Sequence, residues 1–256
     1  MGIVRRLTKL GIFVFICMII FTGCAGKKPQ LNLPLQERFD RGLKYMEKEK
    51  YYNAQQEFQI VILSGSHTEL GDDAQFHLAE AFFKNKEYLL AISEYERLTR
   101  NMKYSEYVEK ARWRICEAYV AESPKYYHDQ ASTDKALQKL QEFIDEYPNS
   151  EYNYDAKETI KNLRNKLALK LYNSGQLYLK LLVYDSAIIT FEDLLARYYD
   201  TDYAEPAHIG IIQCHILMDN YTEAQNHFDK NSYKIVSADG KKMVEQLLES
   251  IKSENK

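Results

Sequence analysis

LALKLYNSGQLYLKLLVYDSAIITFEDLLARYYDT, from Leu167 to Thr201, is the stretch that decides the fold of this chain. Its pattern predicts two helices joined by a short turn. A small residue on each helix, Gly175 and Ala187, lets the two backbones approach closely, while Tyr178 and Phe191 fill the space beside that contact. Because one helix pair cannot bury its apolar face alone, the stretch predicts further copies along the chain.

Further copies occur on both sides of this stretch. The first two are 37 residues apart, the third requires an insertion of eight residues between its helices, and a weaker fifth copy follows. The matching residues are Gly42, Tyr45, Ala54 and Phe58; Ala79, Phe82, Ala91 and Tyr95; Cys116, Tyr119, Ala136, Leu140 and Phe143; and Ile212, His215, Ala224 and Phe228. This is the spacing of tetratricopeptide (TPR) repeats. It predicts an all-α, TPR-like solenoid of about five helix-turn-helix repeats over residues 35–256, with a C-terminal capping helix from Ala238.

The N-terminal residues predict a secreted lipoprotein. Three basic side chains precede an apolar run, Leu10 to Phe21, that is too short to remain as a membrane span, so residues 1–23 are predicted to be a signal peptide. Gly23 precedes Cys24, the arrangement of a lipobox, in which the cysteine is acylated and becomes the mature N-terminus. Residues 24–34 then form a lipid-anchored tether, and acyl chains hold the protein on a membrane. The alternative is ordinary signal cleavage beside a chance cysteine.

Charge and cysteine usage narrow the classes of partner. The sequence has 34 basic and 37 acidic residues, and loss of the signal removes three basic ones, which leaves a mature chain of about −6. This balance argues against nucleic acid as a partner. The two remaining cysteines, Cys116 and Cys214, lie on first helices of different repeats, and we expect both to be buried free thiols.

Large apolar residues recur at two positions of the first helices, the fifth and the twelfth. These positions lie two turns apart and face the concave side of a TPR solenoid, so they predict a continuous apolar groove for an extended or amphipathic peptide. The alternative is that they pack between adjacent first helices. The candidate groove residues are Phe39, Met46, Phe76, Phe83, Trp113, Val120, Tyr172 and Leu179, with Ile209 and Ile216 at the corresponding positions of the fifth repeat.

Catalytic signals are weak. The chain has no GxSxG, HExxH or paired CxxC motif, and no glycine-rich phosphate loop. His208 and His215 share a helix face but are about 10 Å apart along the axis, too far to bind one metal together. The third-repeat insertion, Ala121 to Thr133, predicts a protruding loop, with Ser132 or Thr133 as the cap of a helix beginning near Asp134. An envelope enzyme built around His128 and Asp129 in this loop is the catalytic alternative; no cofactor or metal is expected.

The amino-acid sequence of the third and fourth repeats resembles that of the BamD family of TPR lipoproteins, which belong to the bacterial outer-membrane β-barrel assembly machine. The residues that carry the resemblance are Phe143 to Tyr152 (FIDEYPNSEY), Asp155-Ala156-Lys157, Leu163 to Ala168, Gly175 to Tyr178, Ala187-Ile188 and Tyr199-Asp200-Thr201. Together with the lipobox and the third-repeat insertion, the resemblance covers nearly the whole mature chain.

The resemblance implies a non-catalytic scaffold anchored by Cys24 in the outer membrane and facing the periplasm. Its C-terminal repeats would bind the periplasmic domains of the central barrel component, BamA, and its N-terminal repeats would engage unfolded outer-membrane proteins. No cofactor is implied. A different TPR envelope lipoprotein, acting as an adaptor in cell-envelope, secretion or motility systems, remains the alternative.

Overall fold

The computed structural model of the protein describes residues 33–65 and 69–254, and within them it contains only helices, turns and loops. The predicted signal peptide, Cys24 and most of the predicted tether lie outside the described residues. The helices are α1 Leu35–Glu47, α2 Tyr51–Gly65, α3 Glu69–Lys84, α4 Tyr88–Asn101, α5 Val108–Glu122, α6 Ala131–Glu146, α7 Asn153–Lys180, α8 Tyr184–Tyr198, α9 Ala204–Leu217, α10 Tyr221–Asn231 and α11 Ala238–Glu254, with a 3₁₀ turn at Ser232–Lys234. None of these helices is long and apolar enough to span a membrane.

The helices pair in chain order, and this confirms the predicted all-α, TPR-like solenoid of five repeats. The pairs are α1 with α2, α3 with α4, α5 with α6, the C-terminal half of α7 with α8, and α9 with α10. The final helix, α11, packs on α9 and places Val244 in a small core with Ile209 and Ile212. It therefore covers the end of the stack, as the sequence predicts.

Four of the five repeats turn between their helices through the same three-residue connection. The second residue of each turn has a positive φ between 55° and 64°, and these residues are Glu49, Lys86, Leu182 and Asp219. The residue after it donates its backbone N–H to a carbonyl five residues earlier, as Lys50 does to Tyr45 at 2.8 Å. This geometry ends the first helix and satisfies its last carbonyls, so the second helix can reverse direction at once.

The third repeat replaces this turn with an eight-residue connection, 123–130, and here the prediction from the sequence is wrong in one detail. Helix α6 begins at Ala131, not near Asp134, and neither Ser132 nor Thr133 caps it. Thr133 is buried and donates its hydroxyl to Gln130, whose amide nitrogen donates to three carbonyls of the loop. Two lysines of α7, Lys166 and Lys170, also donate to loop carbonyls, at 2.9 Å. These contacts tie the loop to α7.

Helix contact within each repeat depends on a small residue facing a ring. An ideal Cβ built on Gly175 would lie 2.5 Å from the nearest ring carbon of Phe191, and one on Gly42 would lie 2.5 Å from Phe58 in the same way. Phe191 is fully buried, and Gly210 of α9 approaches its opposite side. A single ring therefore fills the space among α7, α8 and α9, which leaves no room for even a methyl group.

Two histidines meet between α9 and α10. His208 Nδ1 and His227 Nε2 are 3.0 Å apart, so one imidazole donates to the other, and His208 is only 3% exposed. Burial lowers the pKa of each ring to about 4, and the neighbouring cationic groups, including Lys234, act in the same direction. The charge of His215 is another of the causes that lower the pKa of His227. The interface between α9 and α10 therefore favours the neutral form of both imidazoles.

Both remaining cysteines are free and buried, as expected. Burial raises the pKa of the Cys116 thiol to about 12 and that of Cys214 to about 11. Both side chains are therefore neutral packing groups at physiological pH.

Gly175→Ala is expected to lower the free energy of unfolding by roughly 2 kcal/mol, because Phe191 has no free space in which to yield. Helix propensity alone would predict the opposite sign, a gain of about 1 kcal/mol. Denaturant unfolding followed by circular dichroism measures the change. In a Phe191→Leu background the same substitution should cost much less; an equal cost in both backgrounds would contradict the proposed clash.

The histidine pair predicts a pH dependence of stability. Because the folded chain holds both pKa values near 4 while the unfolded value is about 6.5, the unfolded state binds more protons between these limits. The stabilising contribution is therefore complete above pH 6.5 and is lost as the pH falls towards 4. Thermal unfolding of His208→Gln/His227→Gln should show a smaller loss over this window than the parent. His128→Gln, at an exposed histidine, should leave the parent profile unchanged.

Candidate functional site

The fifth-position residues of the predicted groove are mostly interior. Phe39 and Phe76 are 7% and 3% exposed, and Trp113 is 8% exposed. The rings of Phe39 and Phe76 are each covered by a ring from the following repeat, His77 and Tyr107, which leaves little of their surface for a ligand. Phe39 and Phe76 are therefore packing residues between adjacent first helices, the alternative reading of the pattern, and the expectation that they line an open groove is corrected.

The ring that covers Phe76 comes from a motif that the sequence analysis did not identify, and the motif recurs in two later repeats. Three first helices are preceded by Ser or Thr, then an acid, then Tyr: Ser105-Glu106-Tyr107, Ser150-Glu151-Tyr152 and Thr201-Asp202-Tyr203. Tyr107 stacks on Phe76 with ring centroids 4.5 Å apart, Tyr152 stacks on Trp113 at 5.4 Å, and Tyr203 packs on Tyr172 at 5.6 Å. The recurrence of this tripeptide was available in the sequence. Its pairing partner was not, since that depends on how the repeats stack.

The twelfth-position residues are half-buried and separate into different neighbourhoods. Met46 packs on the core of the first two repeats, whereas Leu179, like Tyr172 of the fifth-position set, packs on that of the fourth and fifth. Ile209 and Ile216 belong to the C-terminal core. Phe83 and Val120 share an open space, and Trp113 lies in it with them. Three of the eight predicted groove residues therefore line one local cavity.

This cavity lies where α5, α6 and the first turns of α7 meet, beside the end of α3. Its volume is about 470 Å³, within the range of sites that hold a small ligand or a few side chains. Apolar groups form its floor and carboxylates stand at its edge. The lining residues are Phe83, Trp113, Glu117, Val120, Ala121, Leu140, Asp155, Glu158 and Thr159.

A buried ionic network supports one wall of the cavity. Arg114 Nε lies 2.7 Å from Glu80 Oε1, and Arg114 Nη1 lies 2.9 Å from Glu117 Oε2. Tyr95, which is fully buried, donates its hydroxyl to Glu80. Burial alone would lower the pKa of Arg114, but Glu80 and Glu117 outweigh it and raise that pKa. The guanidinium also lies 5.2 Å from the ring centroid of Phe83, so the network fixes both a floor residue and an edge carboxylate.

The third-repeat loop does not assemble the residues of the catalytic alternative into a pocket. The Asp129 carboxylate accepts the backbone N–H of Ala131 at 3.0 Å, which is a local structural role. His128 is exposed, and its contact is the ring of Tyr127 at 4.5 Å. Within residues 33–65 and 69–254, no group of three or more His, Cys, Asp and Glu side chains is arranged to hold a metal ion.

Similarity to known proteins extends over most of the chain. Two curated relatives are each named outer membrane protein assembly factor BamD: that of Rickettsia prowazekii is 24% identical over 231 residues, 87% of this chain and 89% of that protein. That of Caulobacter vibrioides is 24% identical over 210 residues, 80% of this chain and 69% of that protein. Among solved structures, the TPR2AB domain of yeast Sti1, in a pHSP90 complex, matches with a TM-score of 0.42 and 15% identity, over 84% of this chain and 96% of that one.

The family model provides the assignment. The model of YfiO, described as an outer membrane lipoprotein, matches residues 32–231, which include α1 to α10 and the whole candidate cavity. The chain therefore belongs to the YfiO family of outer membrane lipoproteins.

Proposed function

We propose that this chain is a non-catalytic, membrane-anchored scaffold of outer-membrane β-barrel assembly. It would bind the periplasmic domains of a BamA-like central barrel component and hold segments of unfolded outer-membrane proteins. The observation that carries the proposal is the family match over residues 32–231, together with relatives named as assembly factors over 80% or more of the chain. The cavity at Trp113 supports it, because a water-accessible apolar recess can hold a peptide segment without chemistry.

The third-repeat cavity is the proposed site for unfolded substrate. It combines apolar floor residues with open access along α5 and α7, and an extended segment needs both. Its walls are rigid, since the Arg114 network fixes α5 to α3 and the Lys166 contacts fix the start of the loop to α7. A rigid site lowers the ordering cost of binding to that of the peptide alone.

The C-terminal repeats are the proposed site for the central barrel component. The turn of the fourth repeat exposes Leu181, Leu182 and Val183 by 60%, 70% and 45%, where the first two repeats have Lys, Glu and Asn. Exposed neighbouring apolar side chains favour a protein contact over free solvent. Because α7 runs from the substrate cavity to this turn, one rigid stack would carry both partners.

Affinity purification of the tagged full-length protein from detergent-solubilised membranes tests this function. We expect a large barrel protein with repeated periplasmic domains to copurify, identified by mass spectrometry, and depletion of the protein to reduce many unrelated barrels in the outer membrane. A Leu181→Ser/Val183→Ser variant should lose the barrel component, whereas Leu63→Ser/Tyr52→Ser, at exposed positions of the first repeat, should retain it. Copurification of secretion, motility or peptidoglycan-binding proteins alone would refute the assembly role and favour the adaptor alternative.

The lipid anchor is proposed at Cys24, in the lipobox sequence. Metabolic labelling with a clickable fatty acid should mark the wild-type protein, and Cys24→Ser should abolish the label because the thiol that carries the first acyl chain is absent. Cys17→Ser, within the apolar run of the signal, is the matched control and should retain full labelling. Label that persists in Cys24→Ser would place the acyl groups elsewhere.

A further inference from the structure

The edge of the third-repeat cavity carries more negative charge than its own cations balance. Glu117 on α5 lines this cavity together with Asp155 and Glu158 on α7. Asp155 and Glu158 are three residues apart on one helix, so both side chains lie on the same face, one turn apart. Both are exposed, and neither has a hydrogen-bond or ion-pair partner in the part of the chain that the structure describes.

The nearby cation, Arg114, already forms ion pairs with other carboxylates. Arg114 pairs with Glu117 at the edge and with the buried Glu80 behind it, so a single guanidinium serves two carboxylates. No described contact brings Arg114 or any other cation to Asp155 or Glu158. At neutral pH the cavity therefore opens between apolar groups and uncompensated negative charge.

This combination selects among ligands. A purely apolar segment would displace water from the carboxylates without offering them a hydrogen bond or a positive charge. An acidic segment would add repulsion. A segment that places one apolar ring on the Trp113 floor and a lysine or arginine close to it satisfies both features. The aliphatic stem of the basic residue can pack along Val120 while its charge reaches the edge.

We propose that the cavity recognises a cationic apolar peptide segment, in which an aromatic or large aliphatic anchor is followed within about one turn or a few extended residues by Lys or Arg. This rests on the proposed function, since the cavity must first be a peptide site. It adds the chemical class of the segment: among unfolded chains, those that pair an apolar anchor with a basic neighbour bind here, and those with an acidic neighbour do not.

The chain provides its own reporter for the test, because Trp113 is its only tryptophan and lies on the cavity floor. We would titrate the full-length protein in detergent with tryptophan-free peptides of about ten residues, each carrying one central Phe and differing only in two flanking Lys, Gln or Glu. Tryptophan emission should report binding of the Lys peptide about tenfold tighter than the Gln peptide, with the Glu peptide weaker still. The preference should shrink in about 0.5 M salt, where screening is strong.

Two variants distinguish an effect of the cavity carboxylates on binding from an effect on folding. Asp155→Asn/Glu158→Gln changes exposed side chains only, and it should bring the affinities for the Lys and Gln peptides within about twofold of one another. Glu245→Gln/Glu249→Gln makes the same change of charge on α11, away from the cavity, and should leave the preference intact. Equal affinities of the three peptides for the wild type, or an unchanged preference in the α7 variant, would overturn the proposal.

Replacing the central Phe by Ala distinguishes this inference from the proposed function. Binding that requires Phe but ignores the flanking charge overturns the cationic preference and leaves the cavity as a peptide site. Binding of none of the peptides overturns both the preference and the cavity as a substrate site, while the barrel-component contact is tested separately by copurification. Loss of the Lys preference together with loss of Phe dependence in Val120→Gln, whose helical circular dichroism is intact, would support a shared site.

Discussion

The close approach of two helices at a small residue is the constraint on which this solenoid depends. Gly175 has no side chain, so the ring of Phe191 can lie against the backbone of α7, and Gly210 admits the other side of the same ring to α9. One aromatic side chain therefore sets the distance within a repeat and the distance to the next repeat at once. The same relation between Gly42 and Phe58 shows that it is a property of the repeat and not of one location.

Stacking of one repeat on the next depends on a second set of rings. The tyrosine that precedes a first helix lies flat on the aromatic residue of the preceding first helix, as Tyr152 does on Trp113 with an interplanar angle of 7°. These contacts use the residues that the sequence pattern suggested for ligand binding. These contacts explain why most of the large apolar groups along the first helices are so little exposed. The next repeat covers them.

The third repeat departs from this regularity, and the candidate cavity lies beside it. Its longer connection is folded onto α7 by Lys166, Lys170 and the amide of Gln130, and α7 runs for 28 residues from the cavity to the fourth repeat. Such a helix is about 40 Å long. Its first turns supply the carboxylates at the cavity edge and its last turns supply Gly175, so the proposed substrate site and the C-terminal repeats are parts of one rigid element.

Local spacing in the sequence was sufficient for the fold class, the number of repeats, the C-terminal cap and the two buried thiols, because each depends on the periodicity of a single helix or helix pair. The start of α6 was misplaced because hydrogen bonds across the loop, not a capping side chain, determine it. The lining of the candidate cavity could be predicted only in part: Phe83, Trp113 and Val120 were among the predicted groove residues, but Phe39 and Phe76 were not distinguishable from Trp113, since all three hold the fifth position of their repeat. Their burial is decided by which ring of the next repeat covers them. The meeting of Asp155 and Glu158 with Glu117, and of His208 with His227, likewise joins residues from different helices, and only the stacked structure sets those distances.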